Sequence, residues 1–461
     1  MLKDLLTPLA GSLSGHVELR AQCNSARQVG MLGGNLVANV RTEQIGVSAR
    51  VYRNGVYGFA SSADYDEESV KAVLRAAEEN AVFLDSRVKK GKAPLPVLPK
   101  QFVACDRDFT DLPQKDYIDF IRQAEDYLKE KYPQLTSRTL VLRQNCMEKL
   151  LLTSDGAGSH SIRPRTHFVV SLTAEAPDGA PVEFFDVLGG GEGSVPDYFT
   201  DPAAYYGKMD AMVEKLMQKR EGVFTDAGLK DVVLYPDLAG ILAHEAVGHT
   251  VEADLVLGGS VAAHHLGKPV ASELITMVDF AHTLPDGSRA PLPVYVDDEG
   301  TVAKDQVLIK DGILVGYMNS RETAERFGME PAGNARAYTF SDEPLIRMRN
   351  TAILPGRDKL EDMIASIEDG YCFTSTNNGQ ADTTGEFMFG IMMGYEIKHG
   401  KLGRAIRDTT ISGVAFEMLK TVDMLSDDMV WSSSGMCGKK QPMPVGMGGP
   451  AVKCKVNVAG K

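Results

Sequence analysis

An α+β fold in two domains is what the sequence predicts, and three observations carry that prediction. The chain has 461 residues, more than one ordinary hydrophobic core organises. Its first half alternates helix-period and strand-period stretches, whereas short strands with few long helices dominate the second half. Glycine is abundant, at 45 residues, which points to many turns. The boundary is expected near residue 225. It separates an α/β-patterned domain over 1–224 from a strand-rich domain over 225–461.

In chain order, residues 17–23 (VELRAQC), 34–41 (GNLVANVR) and 45–52 (IGVSARVY) read as strands. The last enters an Asn54-Gly55 turn and returns as 56–61, because Asn-Gly between alternating runs is a strong hairpin signal. Residues 66–84 read as a helix, acidic at the start and apolar every three or four positions. The proline-rich stretch 94–100 is expected to be a traverse, and 113–131 a second helix. Strands are expected at 139–143, 148–154 and 166–174, with a turn at 155–158. That turn lacks the lysine of a phosphate loop and the dinucleotide fingerprint, so it implies no nucleotide cofactor. The run GGGEG at 189–193 reads as a hinge or exposed loop, and 201–219 as a helix leading to a strand at 231–235. Beyond it, strands are expected at 293–297, 301–309, 313–318, 387–398 and 402–406, with helices at 359–368 and 410–424.

Composition excludes several classes of function. A formal charge of −13 argues against a dominant nucleic-acid surface, which needs concentrated Lys and Arg. No apolar run reaches membrane-spanning length, and residues 1–10 lack the long apolar core of a secretion signal, so no membrane partner is expected. Cys23, Cys105, Cys146, Cys372, Cys437 and Cys454 form no C-x-x-C pair, which suits reduced thiols in a cytoplasm.

The stretch His244-Glu245-Ala-Val-Gly-His249 carries the chemistry. Two imidazoles and a carboxylate within six residues can bind zinc and move a proton from water. The familiar metalloprotease spacing is H-E-x-x-H, with both histidines on one helical face. Here the spacing is i,i+5, which an ideal α-helix splays by roughly 140°. A π-bulge at this point would bring the pair together, and Gly248 loosens the backbone there. The competing structural reading is a core histidine beside a helix-terminal charge. A catalytic zinc site usually has a third protein ligand. Glu252, Asp254, His264, His265 and His282 are candidates, and so is Cys437, set between flexible glycines.

With these residues noted, the chain resembles the TldD/PmbA family, once described as modulators of DNA gyrase. The resemblance rests on separated motifs: 244–254 (HEAVGHTVEAD), 344–356 (PLIRMRNTAILPG), 385–389 (GEFMF) before 395–400 (YEIKHG), and 435–448 (GMCGKKQPMPVGMG). The histidine motif places it with the TldD half. The resemblance implies a zinc metallopeptidase acting on unfolded or short peptides. It implies a homodimer, or a heterodimer with a PmbA/TldE-like paralogue. It maps His244, His249 and Cys437 as metal ligands and Glu245 as the catalytic carboxylate. One departure is visible, since Cys437–Gln441 is one residue shorter than the family's C-G-x-x-G-Q form.

Arg347 and Asn350, in the second motif, are candidates for substrate positioning; tying two loops together is the alternative. Strand edges near 385–394 are candidates for pairing with an extended peptide; the alternative is a core strand with methionines filling space. Two rival functions remain at this stage. One is a metal-stabilised regulatory or interaction protein without peptidase activity. The other is a thiol enzyme using Cys437 as nucleophile.

Overall fold

The computed structural model describes residues 13, 15–91 and 94–460, so the reading of residues 1–10 lies outside the described residues. Helices and strands mix as the α+β prediction requires. The first unit is a seven-stranded sheet. In it β1 (His16–Leu32), β2 (Asn35–Arg53) and β3 (Val56–Ser62) form a meander, and β1 also pairs with β5 (Ser137–Thr153). β5 pairs with β6 (Ala157–Glu175), whose far edge is shared by β4 (Gln101–Asp106) and β7 (Pro181–Glu192).

Side-chain alternation gives this sheet two different faces. Leu19, Ala21, Val29 and Met31 of β1, with Leu140, Leu142, Leu150 and Leu152 of β5, point to one face. Three helices cover it: α1 (Glu67–Val88), α2 (Gln114–Lys131) and α3 (Tyr206–Arg220). Asp66 caps α1 by accepting from the Ser69 amide, and Glu67 and Glu68 favour its positive end. Val70, Val73 and Ala77 form its buried stripe. The opposite face carries Glu18, Arg20, Gln22, Arg50 and Lys149, and it presses against the second unit. Arg20 donates to the Thr339 and Asp342 carbonyls, Gln22 to the Tyr338 carbonyl, and Lys149 to Asp298 at 2.7 Å.

In the second unit, β8 (Gly228–Leu234), β15 (Asp369–Ala381), β16 (Glu386–Lys398), β18 (Thr409–Val414) and β22 (Val452–Val458) close on themselves. The order is β15-β8-β22-β18-β16, and β16 then pairs back to β15. β17 (Lys401–Ala405) and β19 (Met424–Leu425) add to β16 and β22. A six-stranded sheet lies alongside, in the order β11 (Ile313–Leu314), β10 (Gln306–Lys310), β9 (Met277–Phe280), β14 (Asn350–Ile353), β21 (Met443–Gly449) and β20 (Val430–Cys437). The two-residue strands β12 (Ala335–Arg336) and β13 (Leu345–Ile346) pair with each other. Helix α4 (Pro236–Leu242) packs between the closed sheet and the open one, against β15 and β21.

Several expectations need correcting. Segments 139–143 and 148–154 are one strand, because pairing with β1 runs unbroken from Glu18 to Leu32 and carries the chain straight through. Likewise 34–41 and 45–52 are both parts of β2. Residues 189–192 are strand rather than hinge. A Cβ on Gly190 would lie 2.0 Å from the Thr166 carbonyl oxygen, so the glycines let β7 lie flush on β6. Residues 293–297 form no ladder; Val296 makes only an isolated bridge to Val302. The helix expected over 410–424 is confined to Ala415–Lys420, since 409–414 pair with β16. Because β16 has β15 on one edge and β17 and β18 on the other, 386–394 is no free edge for a peptide.

Candidate metal centre

The chain leaves α4 without a break and enters a single π-helical turn, Ala243–Gly248, before a short tight turn at His249–Val251. This is the bulge that the i,i+5 spacing requires. Hydrogen bonding five residues apart adds one residue to the turn, so His244 and His249 return to the same side. Their ring centroids lie 5.1 Å apart, nearly perpendicular at 81°. Gly248 fits because Met348 occupies the place a side chain would need.

Strand β20 brings Cys437 to the same point from 188 residues away, with Sγ 3.3 Å from His249 Nε2. One donor atom from each of His244, His249 and Cys437 falls within a 4.8 Å cluster. Glu245 stands beside it, with carboxylate oxygens 3.9 Å from His244 Nε2 and 3.7 Å from His249 Nε2. His244 is buried, yet neither ring nitrogen has a hydrogen-bond partner. A buried imidazole left bare costs free energy unless something coordinates it. Two nitrogens and a thiol also form a donor set that zinc accepts. The residues present therefore fit zinc.

Electrostatics agree with that fit. Burial opposes ionisation of Cys437, but the neighbouring His244 and His249 rings outweigh it and bring the thiol down to about 3. Burial likewise opposes charging of His249, while Cys437 and Glu252 raise it to about 10. Without a cation between them, imidazolium and thiolate thus stabilise one another, and a thiolate is the form that binds metal.

Glu252 and Asp254 take another role from the ligand role considered for them. Buried Glu252 accepts from His249 Nδ1 at 2.7 Å, which turns Nε2 toward the cluster. Lys439 lies 3.2 Å from Glu252 and 2.8 Å from Asp254, balancing their charge. Lys439 had no distinguishing signal in the sequence beyond its place in the cysteine motif. His265 bonds the Val261 carbonyl, His282 stacks on Tyr295, and neither they nor His264 join the cluster.

Arg347 and Asn350 are both buried and turned to backbone carbonyls. Arg347 is fully buried and donates to the carbonyls of Cys437 at 2.8 Å, Lys439 at 3.0 Å and Gln441 at 2.7 Å. It shapes the loop that presents the thiol. Asn350 is buried among the Phe280, Ala281 and Leu292 carbonyls. The loop-tying alternative describes both residues. In the loop after Cys437, Lys440 adopts a left-handed φ of 57° just before Gln441, whose side chain joins the Tyr338 amide to the Glu343 carbonyl.

The cluster opens into a cleft of about 760 Å³, lined among others by His167, Gly190, Thr374 and Ser432–Gly435. His244, Glu245 and Cys437 all line it. The protein is thus able to present a metal and a carboxylate to a molecule lying in the cleft. Among the described residues no helix is long and apolar enough to cross a membrane.

Comparison with known proteins agrees with the chemistry. Residues 227–460 match the PmbA/TldA metallopeptidase C-terminal domain, and 17–81 match domain 1 of the same metallopeptidases. A metalloprotease of Methanothermobacter thermautotrophicus is 30% identical over 448 residues, covering 96% of this chain and 95% of its own. A zinc metalloprotease TldD homolog of Saccharolobus solfataricus is 28% identical over 414 residues, covering 89% and 88%. The structure of TldE from Thermococcus kodakarensis superposes with a TM-score of 0.73 over the whole of both chains, at 16% identity, and so shares the fold. The chain is a metallopeptidase that belongs to the PmbA/TldD family.

Proposed function

We propose that this metallopeptidase is zinc-dependent and hydrolyses short or unfolded peptides, with His244, His249 and Cys437 as metal ligands and Glu245 as general base. The observation that carries the reading is the π-helical turn, which delivers two histidines and a glutamate to a distant cysteine at the wall of one cleft. When bound, zinc supplies Lewis-acid chemistry, acidifying water and polarising a carbonyl oxygen. Glu245, partly open to the cleft, takes the proton of the attacking water and returns it to the leaving amine nitrogen as the C–N bond breaks. Glu252 holds His249 in orientation, and Arg347 holds the Cys437 loop. The likeness to TldE supports a heterodimer with a TldE-like paralogue, with a homodimer as the alternative. The six free thiols suit a cytoplasmic setting.

The test is elemental analysis and peptide hydrolysis on purified protein. Wild type and Glu245→Gln should each hold close to one zinc per chain, and Glu245→Gln should lose at least about 100-fold in kcat, the scale of general-base catalysis. Cys437→Ala and His249→Ala should lose both metal and activity. Wild-type turnover in Glu245→Gln would refute the base assignment. Activity abolished by thiol alkylation but untouched by chelators would instead identify Cys437 as a nucleophile.

A further inference from the structure

The cleft holds a group of positive and polar side chains that the proposed hydrolysis does not use. Arg143 of β5 and His167 of β6 are directly paired across the sheet and both line the metal cleft. Arg165 lies two residues along β6 on the same face, lining the neighbouring cavity rather than the cleft itself, and its guanidinium donates to the Ser433 carbonyl of β20. The Nε atoms of Arg143 and Arg165 and Nε2 of His167 are all buried without a hydrogen-bond partner. Among the described residues neither guanidinium has an ion-pair partner. This contrasts with Arg50, Arg321 and Arg349, which are buried and paired. Burial and the two arginines push His167 down to about 3, so it is neutral and adds hydrogen-bonding capacity without charge. Burial and Arg143 also lower Arg165, to about 10, which still leaves it charged at neutral pH.

Two adjacent guanidiniums with bare donors are costly, and an anion between them would relieve both the repulsion and the unmet hydrogen bonds. The nearest carboxylate, Glu192, sits opposite Arg165 across β6 and β7 and favours its charged form, but it is held by Arg163 at 2.8 Å and Arg289 at 3.1 Å. Asp186 pairs with Val170, three residues along β6 from His167, and its field raises Asp237 beyond what burial does. The metal cluster stands at the C-terminal end of β20, beyond Ser433. Four residue steps separate Ser433 from Cys437, at most about 13 Å of extended chain.

We propose that Arg143, backed by Arg165 and His167, forms a carboxylate-binding subsite that anchors the free C-terminus of a peptide lying along β20. The proposal rests on the peptidase reading and gives it a substrate class: short peptides with a free C-terminal carboxylate. Bidentate guanidinium geometry suits a carboxylate. The strand distance limits the released C-terminal fragment to about four residues. An aspartate or glutamate side chain offers the same chemistry, and the test separates the two sources.

The experiment is fluorescence anisotropy with full-length, zinc-loaded Glu245→Gln protein. The probes are a labelled Ala/Gly/Ser octapeptide as free acid, the same peptide as C-terminal amide, and an amide ending in glutamate. The free acid should bind at least about tenfold more tightly than the plain amide, the scale of one charge-assisted contact. That preference should vanish in Glu245→Gln/Arg143→Gln, whose affinity for the amide should be unchanged. Arg143 is half-buried, less so than Arg165 or His167, so this variant is the one expected to fold; equal acid and amide affinity in the Arg143-intact protein overturns the subsite without any further variant. If the glutamate-terminated amide binds as well as the free acid while the plain amide does not, side-chain carboxylates are the source and the C-terminal assignment is overturned. Binding is read without turnover, so the two readings fail separately. A free-acid preference with no hydrolysis by wild type would refute the peptidase; hydrolysis with no preference would refute the subsite.

Discussion

At the residue scale, the centre depends on groups that do not touch the metal as much as on those proposed to do so. Glu252 fixes the tautomer and rotation of His249 through a 2.7 Å bond and is itself held by Lys439. Glu252→Gln should keep the fold and weaken zinc binding by about tenfold or more, the usual effect of losing a carboxylate behind a ligand histidine. Competition against a fluorescent chelator measures this, and an unchanged dissociation constant would remove Glu252 from the site. The ligand residues themselves stood out in the sequence because H-E-A-V-G-H concentrates donor chemistry in six positions. Arg347 and Asn350 were conspicuous for the same reason, as polar residues in a family-like motif. Their burial among carbonyls could not be read locally, because the carbonyls belong to residues as many as 94 positions away.

At the element scale, the decisive feature is a turn with one residue more than an α-helix provides. Gly248 has no room for a side chain in this turn, since a Cβ there would approach Met348 Sδ to 2.1 Å. Gly248→Ala should cost roughly 1–3 kcal/mol through overpacking and lower zinc stoichiometry by moving His249. Pairing it with Met348→Ala should restore the metal. Failure of the second change to restore zinc would show that backbone freedom at Gly248, rather than space, is what the site needs. Helix α1 and the Asn54-Gly55 hairpin were legible in the sequence because caps, acidic starts and turn dipeptides act within a few residues. The 410–424 region was misread for the converse reason. Its apolar spacing suits a helix, but pairing of 409–414 with β16 satisfies the same residues in a sheet.

At the scale of the whole molecule, the two units meet through a buried ionic seam. Arg50 joins Glu18 at 2.8 Å and Glu299 at 2.5 Å, while Arg321 reaches across to Asp155 at 2.6 Å. Glu299 also accepts from the Arg321 amide at 2.8 Å. Glu299→Ala leaves Arg50 buried with half its compensation and should destabilise the protein by about 3 kcal/mol. A lowered urea midpoint would show this; a midpoint within error of wild type would mean that the seam sets orientation and not stability. The polar sheet face that makes this seam also supplies Arg143 and His167 to the cleft, with Arg165 beside them on β6. Docking the units therefore builds one wall of the site.

The sequence by itself determined the donor chemistry of residues 244–249, the period-two strands, the capped helices and the family likeness that singled out Cys437. Each of these is written in neighbours a few residues apart or in motif identity. Only the tertiary structure decided that the extra residue is absorbed as a π-helical turn, that Glu252 orients a ligand rather than being one, and that Arg347 serves the loop. It also placed a pair of unpaired guanidiniums beside the cleft. Those outcomes depend on which buried polar groups find partners, and that is settled by how segments distant in the chain pack to exclude water.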